Sequence, residues 1–155
     1  MLQKVVVQMK RIVAAIAAVT MVFSASIGFA QNADSAIKVM IENKEITFDQ
    51  GPVLIDGEPM IPMRAVFEEF GAFVGWDDET QTATAIKDDT FIMIQIDNEK
   101  MFTQSESVEL SAPAVLMNDR TLIPLDAVEA AFDCDVQWNS EINEIIITQN
   151  NGETE

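Results

Sequence analysis

The stretch Ile61–Thr80, IPMRAVFEEFGAFVGWDDET, decides the fold, because a diverged copy of it, IPLDAVEAAFDCDVQWNSEI, occupies Ile123–Ile142. The offset of 62 residues holds without gaps from Pro52–Ile86 onto Ala114–Thr148. The residues that are identical on this register are mostly apolar or turn-forming: Val53/Val115, Leu54/Leu116, Ile61/Ile123, Pro62/Pro124, Ala65/Ala127, Val66/Val128, Phe70/Phe132, Val74/Val136, Trp76/Trp138 and Glu79/Glu141. The duplication therefore preserves a packing scheme rather than a set of catalytic groups.

Each copy contains the pattern of one short helix. Pro62 suits the first helical position, where its missing N–H costs nothing, and Gly71 supplies a left-handed stop. Between them, apolar residues recur at the helical spacing i, i+3, i+4 and i+7, namely Met63, Val66, Phe67 and Phe70. In the second copy Pro124 starts the same pattern, and its apolar stripe is Leu125, Val128 and Phe132. Asp133 replaces the glycine there and tolerates the left-handed conformation only moderately well.

Short strands with turn signals surround each helix. A strand is predicted after the helix, because every second residue there would lie on the same face, namely Ala72, Val74 and Trp76. The polar run Asp77–Thr80 is predicted to form the turn into a return strand. We predict an α+β fold of two tandem repeats, each an antiparallel β-sheet wrapped on one short α-helix. The predicted order is a signal peptide at 1–30, a polar lead at 31–36, repeats at 37–89 and 90–148, and a polar tail at 149–155.

The first 30 residues have the three parts of a secretory signal peptide. Lys4, Lys10 and Arg11 precede an apolar run at Ile12–Phe23, and small residues follow up to Ala30. The alternative is a retained membrane anchor, for which the apolar run is long enough only if it is extended to Phe29. We predict export and cleavage, with the mature chain secreted or associated with the cell surface and without a transmembrane span.

The charge of the chain limits its partners. After residue 30 there are 26 acidic residues and six basic ones, giving a formal charge of −20. Such a surface repels nucleic acid and anionic lipid, and it favours solubility, cations and basic partners. An envelope polymer or protein of unknown identity remains as the expected partner.

Residue inventory excludes the commonest catalytic chemistries. The chain has no His and no Tyr, so it has no Ser-His or Cys-His pair and no His metal ligand. Cys134 is the only cysteine, and its strand face, shared with Val136 and Trp138, predicts a small buried side chain rather than a reactive thiol. We predict no catalytic residues and no cofactor.

Acidic turns are weak candidates for a calcium site. Asp77, Asp78 and Glu79 fall in one predicted turn, and oxygen-rich turns can hold calcium outside cells. Turn chemistry alone also explains these residues. A hydrolase working by paired acids is a further alternative, but Glu68 and Glu69 are adjacent on a helix and point in different directions. Calcium-dependent adhesion or assembly and acid-pair hydrolysis therefore remain as alternatives to simple binding.

The two tryptophans occupy equivalent strand positions. Their register with Val74 and Val136 predicts that Trp76 and Trp138 are buried anchors of the two half-cores. Sugar stacking on a Trp would require exposure. The predicted structural anchors of the repeats are Pro62, Arg64, Phe70, Gly71, Trp76, Pro124, Phe132 and Trp138.

The run VLIDGEPMIPMRAVFEEFGAFVGWD, from Val53 to Asp77, resembles the repeat of the copper amine oxidase N-terminal, or stalk, domain. The resemblance covers Ile37 to about Thr148 and implies an antiparallel sheet around a helix, in a module common in exported bacterial proteins. The second copy departs from the motif, since Asp126 stands in place of Arg64 and Asp133 in place of Gly71. Any role of the motif arginine belongs to Arg64 alone, for which a structural ion pair with Glu68 or with the Asp77 turn is expected.

The resemblance does not extend to amine oxidation. Copper amine oxidases use His copper ligands and a quinone made from Tyr, and this chain has neither residue type. We therefore expect a non-enzymatic exported module that binds or spaces at the cell envelope.

The N-terminal pattern makes the first testable prediction. When the full chain is expressed in a bacterium, secreted protein will begin near Gln31, because the small residues up to Ala30 form the cleavage site. Intact-mass measurement of the mature protein checks this. A full-length mass in the membrane fraction would instead support the retained anchor.

Overall fold

Thirteen strands and two helices follow one another along residues 36–150, the part of the chain that a computed structural model describes. The predicted signal peptide, nearly all of the polar lead and the end of the polar tail lie outside these residues. In chain order the elements are β1 (Lys38–Ile41), β2 (Lys44–Ile46), β3 (Val53–Ile55), β4 (Glu58–Pro62), α1 (Met63–Glu69), β5 (Phe73–Asp77), β6 (Thr82–Lys87), β7 (Thr90–Gln95), β8 (Lys100–Thr103), β9 (Ser107–Glu109), β10 (Val115–Met117), β11 (Arg120–Pro124), α2 (Leu125–Phe132), β12 (Cys134–Asn139) and β13 (Glu144–Gln149). The predicted α+β class is confirmed.

The two copies share all of their sheets. The described strands form three sheets, with orders β12-β13-β1-β2, β10-β11-β4-β3 and β5-β6-β7-β8-β9. Each sheet takes strands from both copies, and β1 pairs with β13 in parallel. This differs from the predicted arrangement of a separate antiparallel sheet for each repeat, because each hairpin finds its partner in the other copy. Within residues 36–150 the two copies are thus intertwined.

The central sheet joins the copies through their most similar segments. Strands β4 and β11 pair antiparallel with Ile61 opposite Ile123, and Pro62 lies opposite Leu122. Since Ile61 and Ile123 are equivalent on the 62-residue offset, a local two-fold axis passes between them. Both isoleucines are fully buried. The duplicated motif therefore pairs with itself.

The helices follow the predicted pattern with a small shift at the start. Pro62 and Pro124 have extended backbone and immediately precede α1 and α2, so each helix begins one residue after the proline that was predicted as its first position. The predicted left-handed stops are confirmed at Gly71, with φ 83°, and at Asp133, with φ 48°. The stripe of the first helix is buried as predicted: Met63, Val66, Phe67 and Phe70.

A pair of phenylalanines closes the core between the helices. Phe70 and Phe132 are equivalent in the two copies, and their rings stack with centroids 4.5 Å apart and an interplanar angle of 2°. Phe67 meets the same Phe132 ring edge-on at 4.7 Å. Offset and edge-on aromatic pairs of this kind stabilise beyond the apolar area they bury. Buried residues of all three sheets and both helices form one continuous hydrophobic cluster.

Cys134 lies in this core, as predicted. The residue is buried on β12, and its thiol donates to the carbonyl oxygen of Val128 at 3.5 Å. Burial raises the pKa of the Cys134 thiol to about 11, with the negative charge of Glu129 as a smaller cause. The thiol therefore stays protonated, and unreactive, at neutral pH.

The self-pairing of the motif predicts strong coupling between the copies. Ile61→Ala and Ile123→Ala should each lower the free energy of unfolding by about 2–5 kcal/mol, because each leaves a cavity in a fully buried site. The double variant should deviate from additivity by at least about 0.5 kcal/mol, since the two side chains are direct cross-strand neighbours. Urea denaturation measures both quantities. The exposed Leu54→Ala is the control, and additive losses would contradict the shared sheet.

The buried thiol predicts a pH dependence of stability. Because the pKa of Cys134 is higher in the folded chain than its ordinary value, its contribution is complete below about pH 9 and is lost as the pH rises through about 11. The free energy of unfolding should fall by about 2 kcal/mol more in wild type than in Cys134→Ala over that interval. Urea denaturation of both proteins at pH 9 and at pH 11 measures this loss. An equal loss of the free energy of unfolding in wild type and in Cys134→Ala would contradict the prediction.

Candidate ligand-binding groove

An open groove of about 640 Å³ lies between elements of the two copies. Its walls come from α1, from β5 and from the hairpin β10–β11. We call it the Trp76 groove, after its aromatic wall, and its charged and apolar lining includes Arg64, Arg120, Asp49, Asp78 and Leu116. Its volume is within the range of about 300–1,000 Å³ typical of ligand sites. Three of the predicted anchors, Pro62, Arg64 and Trp76, meet here.

Trp76 forms a fixed aromatic wall. It lies on β5 on the same face as Val74 and packs against the core, but it is only half-buried. Its indole N–H donates to Asp78 Oδ1 at 2.5 Å, which fixes the plane of the ring. The predicted packing against the core is thus present for Trp76 and for Trp138, but the burial of both side chains is only partial. The position of each Trp on its strand places the ring against the core. Because each Trp is near the end of its strand, β5 or β12, part of the ring remains uncovered.

Arg64 places a partly unused guanidinium at the groove. Its Nη1 donates to the carbonyl oxygen of Val74 at 2.8 Å and to Glu68 Oε1 at 3.4 Å. The expected contact with Glu68 is thus present, whereas Asp77 instead accepts from the backbone N–H of Thr80. A guanidinium carries five N–H donors, and within residues 36–150 only Nη1 of Arg64 has a protein acceptor. The half-exposed side chain therefore has donors free for a ligand.

Arg120 forms the opposite wall and is held by a carboxylate. Its Nε donates to Asp49 Oδ2 at 3.1 Å, and its Nη2 donates to the same carboxylate. Nη1 donates to the carbonyl oxygen of Asp119 at 3.1 Å. The hydrogen bonds from Arg120 hold the pKa of Asp49 below its usual range, so this exposed pair keeps both charges at neutral pH. The result is a positioned polar wall rather than a mobile side chain.

The other copy has acidic residues at the positions of the two arginines. On the 62-residue offset Arg64 corresponds to Asp126, Arg120 to Glu58 and Asp49 to Ser111. Ser111 Oγ donates to Glu58 Oε1 at 3.0 Å, in the place of the Arg120–Asp49 pair, and the Ser111 N–H donates to Asp126 Oδ2 at 2.6 Å. Asp126 Oδ1 is buried and has no hydrogen-bond partner among residues 36–150. Duplication has thus kept the packing but given the two ends different polar linings.

The acidic residues singled out in the sequence have local structural partners. Asp77 caps the turn through Thr80, which lowers its pKa, and Asp78 accepts from Trp76. Glu69 pairs with Lys44 at 2.5 Å, on a different side of the helix from the Glu68–Arg64 pair. Among residues 36–150 no group of three or more acidic or Cys side chains is placed to hold a metal ion.

The groove also contains residues that sequence reasoning did not single out. Arg120, Asp49 and Leu116 were missed because they lie outside the repeated helix motif. One signal was present: Arg120 and Arg64 are the only arginines after residue 30, and both line this groove. No helix in the described part of the chain is long and apolar enough to cross a membrane.

Comparison with known proteins identifies the family of this fold. The family model of the copper amine oxidase N-terminal domain matches residues 40–147. A primary amine oxidase from Klebsiella aerogenes is 30% identical over 76 residues, which is 48% of this chain but 10% of that enzyme. The chain therefore corresponds to only about a tenth of the length of this relative. With most of its length matched by the family model, the chain belongs to the copper amine oxidase N-terminal domain family.

Proposed function

We propose that the chain is a non-enzymatic, exported binding module that acts at the cell envelope or outside the cell, and that its ligand lies in the Trp76 groove. One observation carries this proposal. The groove combines a fixed indole with the only two arginines after residue 30, while the equivalent end of the other copy has Asp126 and Glu58. Divergence of a binding surface on a retained scaffold would produce such a change of charged residues.

The absence of catalysis is supported by residue chemistry. The chain has no His and no Tyr, and the family resemblance concerns the N-terminal domain rather than the oxidase domain. Three of the four acids that line the groove are engaged in side-chain hydrogen bonds: Asp49 with Arg120, Asp78 with Trp76 and Glu68 with Arg64. None of them is placed as one of a facing pair of free acids, which hydrolysis by two carboxylates would need.

The place of action is supported by the N-terminal pattern and by charge. Residues 1–30 have the composition of a secretory signal, and the remainder carries a formal charge of −20. That charge keeps an exported protein soluble and disfavours binding to anionic lipid or nucleic acid. An envelope polymer or protein with little negative charge of its own is the partner that fits.

Co-sedimentation with isolated bacterial cell walls tests the proposal. The purified chain should pellet with the walls, and Trp76→Ala should weaken binding about tenfold or more, because loss of an aromatic anchor commonly costs 2 kcal/mol or more. Trp138→Ala is the matched control, since Trp138 has the equivalent strand position and is also half-buried but does not line the groove. It should bind as wild type does. Urea midpoints of both variants verify that each remains folded.

Three other outcomes would change the interpretation. Wild-type protein that stays in the supernatant would contradict wall binding. Binding that is lost on chelation and restored by calcium would favour the calcium-dependent adhesion module instead. Equal losses for the two Trp variants would show that stability, rather than the groove, governs binding.

A further inference from the structure

We infer that the Trp76 groove binds a neutral carbohydrate chain, lying against Trp76 and hydrogen-bonded by the charged side chains on either side. This inference rests on the proposed function and names the chemistry of the ligand. It follows from three features of the groove: its mixture of donors and acceptors, its balance of charge and its aromatic wall.

The polar lining of the groove offers donors and acceptors side by side. Arg64 has guanidinium N–H groups without a protein acceptor in residues 36–150, and Asp49, Asp78 and Asp119 line the groove with carboxylate oxygens. Each carboxylate has more acceptor positions than a single hydrogen bond uses. A sugar hydroxyl can both donate and accept, so a ring with several hydroxyls can satisfy both kinds of group at once. An apolar ligand would leave them unpaired, at the cost of their hydration.

The charges of the lining disfavour a charged ligand. An anion would meet four carboxylates, those of Asp49, Glu68, Asp78 and Asp119, on a chain that is already strongly acidic. A cation would meet the guanidinium groups of Arg64 and Arg120, which lie in the same groove. An uncharged ligand meets neither repulsion, and it can still use the hydrogen bonds of both kinds of group.

The aromatic wall suits the flat C–H face of a sugar ring. Trp76 is held in one plane by Asp78, so little conformational freedom remains to be lost on binding. Leu116 is 43% exposed and adds an apolar contact from the hairpin β10–β11. Because the groove is open along the surface, a chain of several sugar units can lie in it without being enclosed.

Fluorescence titration with oligosaccharides of matched length tests this inference. The full chain carrying Trp138→Phe has Trp76 as its only tryptophan, so the signal reports the groove. The neutral probes are chitopentaose and cellopentaose. The charged probes are fully deacetylated chitopentaose, which is cationic, and pentagalacturonate, which is anionic. At least one neutral probe should give a saturable change, with at least tenfold weaker binding of both charged probes.

The internal repeat supplies a matched pair of variants. Leu116→Glu should weaken binding of the neutral probe about tenfold or more, because it brings a further charge to the wall of the groove. Leu54→Glu should leave binding unchanged, since Leu54 is the equivalent residue of the other copy, is 51% exposed and does not line the groove. Both sites are on the surface, so both variants fold, which circular dichroism and urea midpoints verify.

The outcomes separate this inference from the proposed function. If neither neutral probe binds while cell walls still retain the protein in a Trp76-dependent way, the carbohydrate inference is overturned and the proposed function stands. Binding of a charged probe as tight as that of the neutral ones would overturn the assignment of a neutral ligand. Neutral binding that survives Leu116→Glu would place the site elsewhere. If neutral probes bind but walls do not, the sugar site stands and action at the envelope fails.

Discussion

The antiparallel pairing of β4 with β11 is the constraint on which the rest of the structure depends. It places Ile61 opposite Ile123 and so relates the two copies of the motif by a local two-fold axis. The helices that follow these strands are then brought together, and Phe70 stacks on Phe132 across the same axis. Once this sheet is formed, neither copy can complete its own core. The hairpins β1–β2 and β12–β13 must pair with each other, as must the strands from β5 to β9.

The same exchange of strands creates the groove. It brings the hairpin β10–β11 of the second copy beside α1 and β5 of the first, so that Arg120 and Arg64 face a common space. At the other end, Glu58 and Asp126 stand at the positions equivalent to Arg120 and Arg64, and Ser111 donates a hydrogen bond to each of them. A site between duplicated halves can therefore differ from its counterpart without any change in the fold. This is why polar residues distinguish the two ends, while apolar residues make them alike.

Local features of the chain were predictable because they depend on neighbouring residues. The helix stripe from Met63 to Phe70, the left-handed stops at Gly71 and Asp133 and the burial of Cys134 all follow from periodicity and turn chemistry. No strand was specified directly before the helix, where β4 lies, because the repeated pattern was interpreted from the helix that begins at Pro62. The pairing of strands between the two copies was also not predicted. The alternation of apolar and polar residues specifies which face of a strand is buried, but it does not specify which strand lies beside it. Arg120 and Leu116 enter the groove only through that pairing.

Stability and the proposed binding depend on different residues in this molecule. Most positions shared by the two copies are buried or partly buried, so replacing them creates cavities or strain. The groove residues that differ, Arg64 and Arg120 in one half and Asp126 and Glu58 in the other, lie at or near the surface. Exposed ion pairs and hydrogen bonds contribute little to the free energy of unfolding. Such positions can therefore change with almost no effect on folding, and a duplicated scaffold can develop one specific end while the other retains only a structural role.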